Sequence, residues 1–299
     1  MWFSSMSEIL TFANLVHAIS GGLGSAVSIT IVYPLETART RLQVDHDVKP
    51  LSSIPLVKWI FKREGLTGLY RGWGSLVLAL FLTNFTYFYV FHGLRRVFSG
   101  GALAATDLGC ASVAGVITVL ISNPVWVVNT RLKLQGVPGA SSREIKQLKR
   151  PRYRGVIDCF AQIIRDEGVR SLWAGTASSL LLVANPALQF VSYEALKRGS
   201  LFTWAPTDSL QHVCNGVTAK MVATILTYPL QVVQTQRRAG FARLSMMGQM
   251  AATFKENGIM GLFRGLETKL TQTLLTAAIM FVVYEKLAAT VFGMAGVER

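Results

Sequence analysis

Three prolines mark where this chain could do chemistry. Pro34, Pro124 and Pro229 stand second in the stretches YPLETARTRLQ, NPVWVVNTRLKLQ and YPLQVVQTQRR. Two and five residues beyond each proline lie Glu36 and Arg39, Trp126 and Asn129, and Gln231 and Gln234. Side chains three apart on a helix share a face, so each pair offers one ionic or hydrogen-bonding edge. Three such edges around a common axis form a ring that closes by pairing and reopens when the pairs are exchanged, which is the chemistry of a gate. Catalytic signatures are missing: there is no HExxH, GxSxG, Walker lysine or Cys/His cluster, and SGGLGSA at 20–26 is neither G-x-G-x-x-G nor preceded by a strand. The expectation is a protein that is not an enzyme and holds no bound cofactor or metal.

A second ring is written further along: Phe91-His92-Gly-Leu-Arg95, Tyr193-Glu194-Ala-Leu-Lys197 and Tyr284-Glu285-Lys-Leu-Ala288. Pairing each base with the acid of the next copy gives Arg95 with Glu194 and Lys197 with Glu285, and leaves His92 beside Ala288. The opposite sense leaves only Arg95 with Glu285, so the first sense is expected. Between the two rings lies Lys220, eleven residues before Gln231. Eleven residues at ~100° each leave ~20° after three turns, which points Lys220 along the same axis. An ionisable residue at such depth is a functional candidate by default, against the alternative of a lysine that snorkels or bridges a carbonyl. Lys269 lies near the end of its segment, where snorkelling is expected.

Positioning two rings requires a repeated frame, and the chain has one. The phrases EGLTGLYRG (64–72), EGVRSLWAG (167–175) and NGIMGLFRG (257–265) follow the three proline stretches in register, which makes a tandem of three units near 100 residues each. The unit boundaries are read as 1–103, 104–206 and 207–299, integrated into one transmembrane domain. Six hydrophobic segments result, near 13–38, 73–95, 106–131, 175–197, 210–235 and 266–289, each long enough for the ~20 residues a bilayer needs. Short surface helices are expected at 54–63, 155–165 and 246–256. The fold class is therefore all-α membrane protein: six transmembrane helices in a pseudo-threefold bundle.

Composition agrees. Hydrophobic residues make up 51% of the chain and charged ones only 15%, yet Lys and Arg number 30 against 16 acids, a net charge of +14. Of those 30, 22 fall in the three loops inside the repeats, a one-sided sorting that puts both termini on the opposite face of the membrane. The excess suits anionic lipids, nucleic acid or an anionic solute; nucleic acid is set aside because the rest of the chain is membrane-bound, although residues 143–154 carry six basic side chains. Cys110, Cys159 and Cys214 form no CxxC and are read as buried free thiols. The N-terminal stretch shows neither a secretory signal nor a transit peptide.

The triplicated Pro-x-acidic-x-x-basic pattern, followed each time by the acidic-Gly phrase, resembles the mitochondrial carrier family over the whole chain. That resemblance implies alternating access, with the proline ring as the loop-side gate and the aromatic-acidic ring as the terminus-side gate; in the loop-side gate Glu36 would face Asn129, Arg39 would face Gln231, and Trp126 would stand opposite Gln234. It places solute contacts at Ala79, Leu181, Leu182 and Thr273, none of them basic. Asn84, Asn185 and Gln189 lie nearby and either read the edge of a base or pack between helices; Tyr87, Tyr89 and Phe190 either stack on a ring or pack. The Pro-x-Trp of the second unit is similar to the branch that carries NAD, FAD, folate and pyrimidine nucleotides, and above all to a peroxisomal member exchanging CoA, FAD, NAD and adenine nucleotides. The implied solutes are thus phosphate-bearing cofactors, and the implied partners are membrane lipids and the peroxisomal membrane-protein import machinery, reached through an internal signal for which 143–154 is the candidate. A single chain is the expected transport unit. The mitochondrial inner membrane is the alternative address, and a non-transporting scaffold with basic recruitment loops the alternative role.

Overall fold

A proline inside a helix has no N–H to give and frees the carbonyl four residues back; in lipid that carbonyl must find another donor. Three long helices of the computed structural model meet this problem: α1 (Phe12–Val44, 33 residues) at Pro34, α4 (Ala104–Lys133) at Pro124 and α8 (Asp208–Arg238) at Pro229. The second repeated phrase supplies the answer. The Tyr70 hydroxyl donates to the Thr30 carbonyl at 3.2 Å, and the Trp173 indole N–H donates to the Leu120 carbonyl at 2.9 Å. In the third repeat the aromatic is Phe263, which has no donor and stacks on Tyr228 with ring centroids 6.3 Å apart.

The residue before each proline ties the same joint from the other side. The Tyr33 hydroxyl donates to the Arg71 carbonyl at 2.8 Å, Asn123 Nδ2 to the Ala174 carbonyl at 3.3 Å and the Tyr228 hydroxyl to the Arg264 carbonyl at 3.0 Å. Each accepting carbonyl precedes a glycine, Gly72, Gly175 or Gly265, with φ of 82°, 84° and 82°. Only glycine holds that left-handed turn cheaply, and a Cβ on Gly265 would come within 3.1 Å of the Tyr228 oxygen. The two repeated phrases are thus two halves of one joint.

The structure describes residues 12–44, 53–98, 104–135, 153–199, 208–240 and 244–295. Its other elements are α2 (Ser53–Leu69), α3 (Trp73–Val97), α5 (Val156–Glu167), a 3-10 turn (Val169–Trp173), α6 (Thr176–Leu182), α7 (Asn185–Arg198), α9 (Met246–Leu262) and α10 (Leu266–Ala295). Every described element is helical. Five stretches, Trp73–Val97, Thr106–Lys133, Val169–Arg198, Leu210–Arg238 and Leu266–Val283, are long and apolar enough to cross a membrane, and α1 at ~1.5 Å per residue is about 50 Å long. This is the expected all-α bundle of six spans in three repeats. Each even span lies along the odd span of the next repeat, giving the pairs α10 with α1, α3 with α4 and α7 with α8, and the odd spans meet one another.

The short loop helices wedge this frame from outside. In α5, Val156, Cys159, Phe160 and Ile163 follow one helical face and bury against Val127, Val128, Leu132 and Leu172; in α2, Leu56 and Ile60 bury against Ala38, Leu42 and Leu69. Burial pushes the Cys159 thiol up to about 12. Cys110 is buried as well, Cys214 is half-buried, and all three are free.

One expected span is broken. Residues 175–197 do not form a single helix, because Pro186 has no N–H for the Leu182 carbonyl. The amides of Val183 and Ala184 fall back on Leu180 and Leu181 at 3.2 Å, and α7 restarts at Asn185. Of the basic stretch 143–154, residues 143–152 lie outside the described residues.

The joint is testable by exchanging its aromatics. Trp173→Phe should leave the Leu120 carbonyl unpaired and cost about 1 kcal/mol, seen as a thermal midpoint lower by about 2–4 °C. Phe263→Tyr should move the midpoint the other way by giving the Ile225 carbonyl a donor.

Candidate functional site

The helix face that carries the second and fifth residues after each proline continues, seven positions on from the second, to the ninth: Gln43, Lys133 and Arg238. Glu36 accepts from Arg39 Nη2 at 3.0 Å on its own helix and from Lys133 Nζ at 3.3 Å. Arg39 Nη1 reaches Gln231 Oε1 at 3.5 Å. The expected contact of Glu36 with Asn129 is absent. Lys133, one turn further along, brings a full charge to the carboxylate, and Asn129 donates instead to the Gly72 carbonyl and Ser75 Oγ, both at 2.9 Å. Trp126 does not face Gln234 either: its indole N–H donates to Thr83 Oγ1 at 3.1 Å, while Gln234 donates to Ser179 Oγ at 2.8 Å.

Beneath this layer the three odd helices are stitched to one another. Arg41 Nε donates to the Lys133 carbonyl at 3.3 Å, Arg131 Nε to the Arg238 carbonyl at 3.1 Å, and Gln236 Nε2 to the Gln43 carbonyl at 3.2 Å. All donors stand seven residues after their proline and all acceptors nine. Glu64 holds the Arg41 guanidinium with two bonds, 2.5 and 2.9 Å, and Glu167 holds Arg131 in the same way. In the third repeat Asn257 stands where those glutamates do, and the neutral Gln236 accepts from Gln249 and Thr253 at 3.0 and 3.2 Å. Last come Val44, Leu134 and Ala239, the tenth residues, which form a buried apolar plug. The gate layers enclose only about 60 Å³.

Above the closed end is a cavity of about 680 Å³. Arg39, Lys220, Arg238 and Lys269 line it, with Glu36 as its sole acid among the described residues. Lys269 does not snorkel away: it sits on the cavity wall near Gln272, 3.5 Å from its Oε1, because it lies in the first turn of α10, its amide bonded to the Gly265 carbonyl of the joint at 3.1 Å. Lys220 is exposed and lines this cavity. It also lines an adjoining cavity of about 570 Å³, together with Gln189, Thr273, Val217, Met280 and Phe281. The buried Thr273 donates to the Lys269 carbonyl at 2.9 Å. Asn84 is exposed and lines neither cavity, and Asn185 stands at the restart of α7.

At the terminus side two ring residues engage the adjacent span. Arg95 of α3 pairs with Asp107 of α4 at 3.2 Å, not with Glu194, and the Tyr193 hydroxyl of α7 lies 2.9 Å from His212 Nδ1 of α8. His92 stacks against Phe88, with centroids 6.2 Å apart. Lys197 is exposed, and the Glu285 side chain lies outside the described residues. The Arg95–Glu194 pair is not formed while α3 follows α4, and the Lys197–Glu285 pair falls outside the described residues. The site as a whole is a cationic cavity sealed at the loop side.

A three-repeat helical bundle with an axial cavity and a closable ring defines a membrane carrier working by alternating access. The chain belongs to the mitochondrial carrier protein family, which it matches over residues 11–102, 103–202 and 206–295. It is 45% identical over 306 residues to the mouse "Peroxisomal membrane protein PMP34", with 98% of each chain covered. It is 33% identical to the Arabidopsis thaliana "Nicotinamide adenine dinucleotide transporter 2, mitochondrial", covering 90% of this chain and 77% of the relative, and 28% identical to the "Peroxisomal nicotinamide adenine dinucleotide carrier" of the same plant, covering 91% and 95%.

Sequence reasoning singled out Lys220 but passed over Lys133 and Arg238 and set Lys269 aside. Extending the proline face by one further turn would have found the first two. The Glu36–Lys133 contact is nearly buried, with side-chain exposures of 14% and 3%, so Glu36→Gln should destabilise the protein by about 3 kcal/mol through two uncompensated cations. Adding Lys133→Gln should recover at least 1 kcal/mol of that loss in a double-mutant cycle read by thermal unfolding.

Proposed function

We propose that the protein is an antiporter that exchanges phosphate-bearing cofactors and nucleotides, such as CoA, FAD, NAD or AMP, across the peroxisomal membrane. The observation that carries this reading is the cavity wall, with four cations against one carboxylate. Small di- and tricarboxylates would leave the adjoining apolar cavity, with Val217, Met280 and Phe281 on its wall, without a function; a nucleotide or pantetheine portion fills it. The names of the mouse and plant relatives support the peroxisomal address and a dinucleotide-like cargo. The mitochondrial name of one plant NAD transporter keeps the inner mitochondrial membrane as the second reading.

The three units, 1–103, 104–206 and 207–299, act as one transmembrane domain, and one chain is the transport unit because the cavity lies within it. Lys220 and Thr273, at the junction of the two cavities, meet the solute, with Gln189 on the apolar side. Opening the loop side requires the Glu36 and Arg39 contacts to part. Closing the terminus side requires Arg95 to leave Asp107 for Glu194, and Lys197 to meet Glu285. A solute drives this by interacting differently with the two states. The basic stretch 143–154 serves peroxisomal import, and anionic lipids surround the basic loop face. No resident cofactor takes part.

Reconstituted protein should counter-exchange labelled CoA, FAD, NAD or AMP and leave malate and citrate behind. Lys220→Ala should insert normally and lose at least tenfold in exchange rate. Rapid malate or citrate exchange with no cofactor movement would overturn the reading.

A further inference from the structure

The three ninth residues after the prolines differ in one respect, which is charge compensation. Gln43 is neutral and donates to the Tyr228 hydroxyl at 3.1 Å. Lys133 lies over the Tyr33 ring at 5.3 Å and pairs with Glu36. Arg238 is charged, and every hydrogen-bond and ring partner of its side chain among the described residues is neutral. Its Nη2 donates to Asn123 Oδ1 at 3.0 Å and to Ser179 Oγ at 3.2 Å, and its guanidinium lies 5.5 Å from the centre of the Trp126 ring. Nε is buried without a hydrogen-bond partner, and no carboxylate pairs with Arg238 among the described residues.

The partners are themselves held in place. Asn123 Nδ2 donates to Thr176 Oγ1 at 3.1 Å and to the carbonyls of Ala174 and Leu172 at 3.3 and 3.4 Å, which turns Oδ1 toward Arg238. The Trp126 indole is anchored on Thr83 and the Ser179 hydroxyl on Gln234. The other repeats carry Tyr33 and Tyr228 where the second has the shorter Asn123, and the guanidinium occupies the room so made. Arg238 lines both the cavity and the gate space below it. A part-buried cation held by fixed neutral dipoles on a cavity wall lacks one thing, an anion.

We propose that Arg238, seated on Trp126, Asn123 and Ser179, is a binding residue for a phosphate oxygen of the solute, whose charge completes the site. This rests on the proposed transport of phosphate-bearing solutes. The planar fork of an arginine suits two oxygens of one phosphate. It also sets the depth of binding, since the phosphate end lies on the closed gate while the remainder extends past Lys220 toward the apolar cavity.

The test uses the full-length protein, purified for thermal unfolding and reconstituted for exchange, with AMP, CoA, inorganic phosphate and malate as probes. Wild type should be stabilised by AMP and CoA. Arg238→Gln should keep or raise the ligand-free midpoint, because a half-buried uncompensated charge is gone, while losing the ligand-induced rise and at least tenfold in exchange. Arg238→Lys, a cation without the fork, should fold and lose most of the rise. Full stabilisation by inorganic phosphate alone would assign the seat to the free ion, and a rise only with AMP or CoA would assign it to the esters. A collapsed ligand-free midpoint in Arg238→Gln, or an undiminished ligand response in both variants, would make Arg238 a brace and overturn the proposal. If wild type responds to no phosphate compound and exchanges none, the transport reading itself fails.

Discussion

A carbonyl left without its helical donor inside a membrane must be met by some other group, and most of this structure follows from meeting three of them. The prolines at 34, 124 and 229 create the need. Tyr70 and Trp173 answer it in two repeats. The residue before each proline returns the contact to a glycine turn. Because the joint recurs at the same height three times, α1, α4 and α8 converge at one level, and their seventh and ninth residues come close enough to bond helix to helix. The apolar plug of Val44, Leu134 and Ala239 is the continuation of that convergence.

On this frame the charges are distributed unevenly. Glu36 serves Arg39 and Lys133 together, Arg41 and Arg131 have glutamates outside the ring, and Arg238 has neutral company. A gate with few ionic pairs of its own is closed largely by hydrogen bonds to backbone and by packing. In the proposed exchange such a gate separates at modest cost, and the cations on its cavity side make an anionic solute the natural agent of its separation. The terminus side shows the complementary condition, with Arg95 and Tyr193 engaged on adjacent spans.

Much of this was legible in the residues. Three in-register phrases and six apolar segments specify the repeats and the bundle, because a 20-residue apolar run has few other uses and the basic loops sort to one face. Less legible was which side chains meet. Asn129 and Gln234 turned to the even spans, since their amides find fixed acceptors at Gly72, Ser75 and Ser179 while a neutral amide competes poorly with Lys133 for Glu36. The break at Val183 and Ala184 was written in Pro186 but hidden by the length of the apolar run around it. Lys269 was set aside by its distance from the middle of its segment, a measure that ignores where the cavity lies. The partner of Arg95 was hidden because Asp107 lies on the adjacent span, outside the repeated phrase that carries Arg95.

The central claim is that the odd helices part at their loop ends during each cycle of exchange. Cysteines introduced at Val44 and Leu134, in a chain whose Cys110, Cys159 and Cys214 are replaced by alanine, join α1 to α4 across the plug on oxidation. Exchange in liposomes, measured before oxidation, after it and again after reduction, should be normal, abolished and restored. Undiminished exchange by the cross-linked protein would contradict the account.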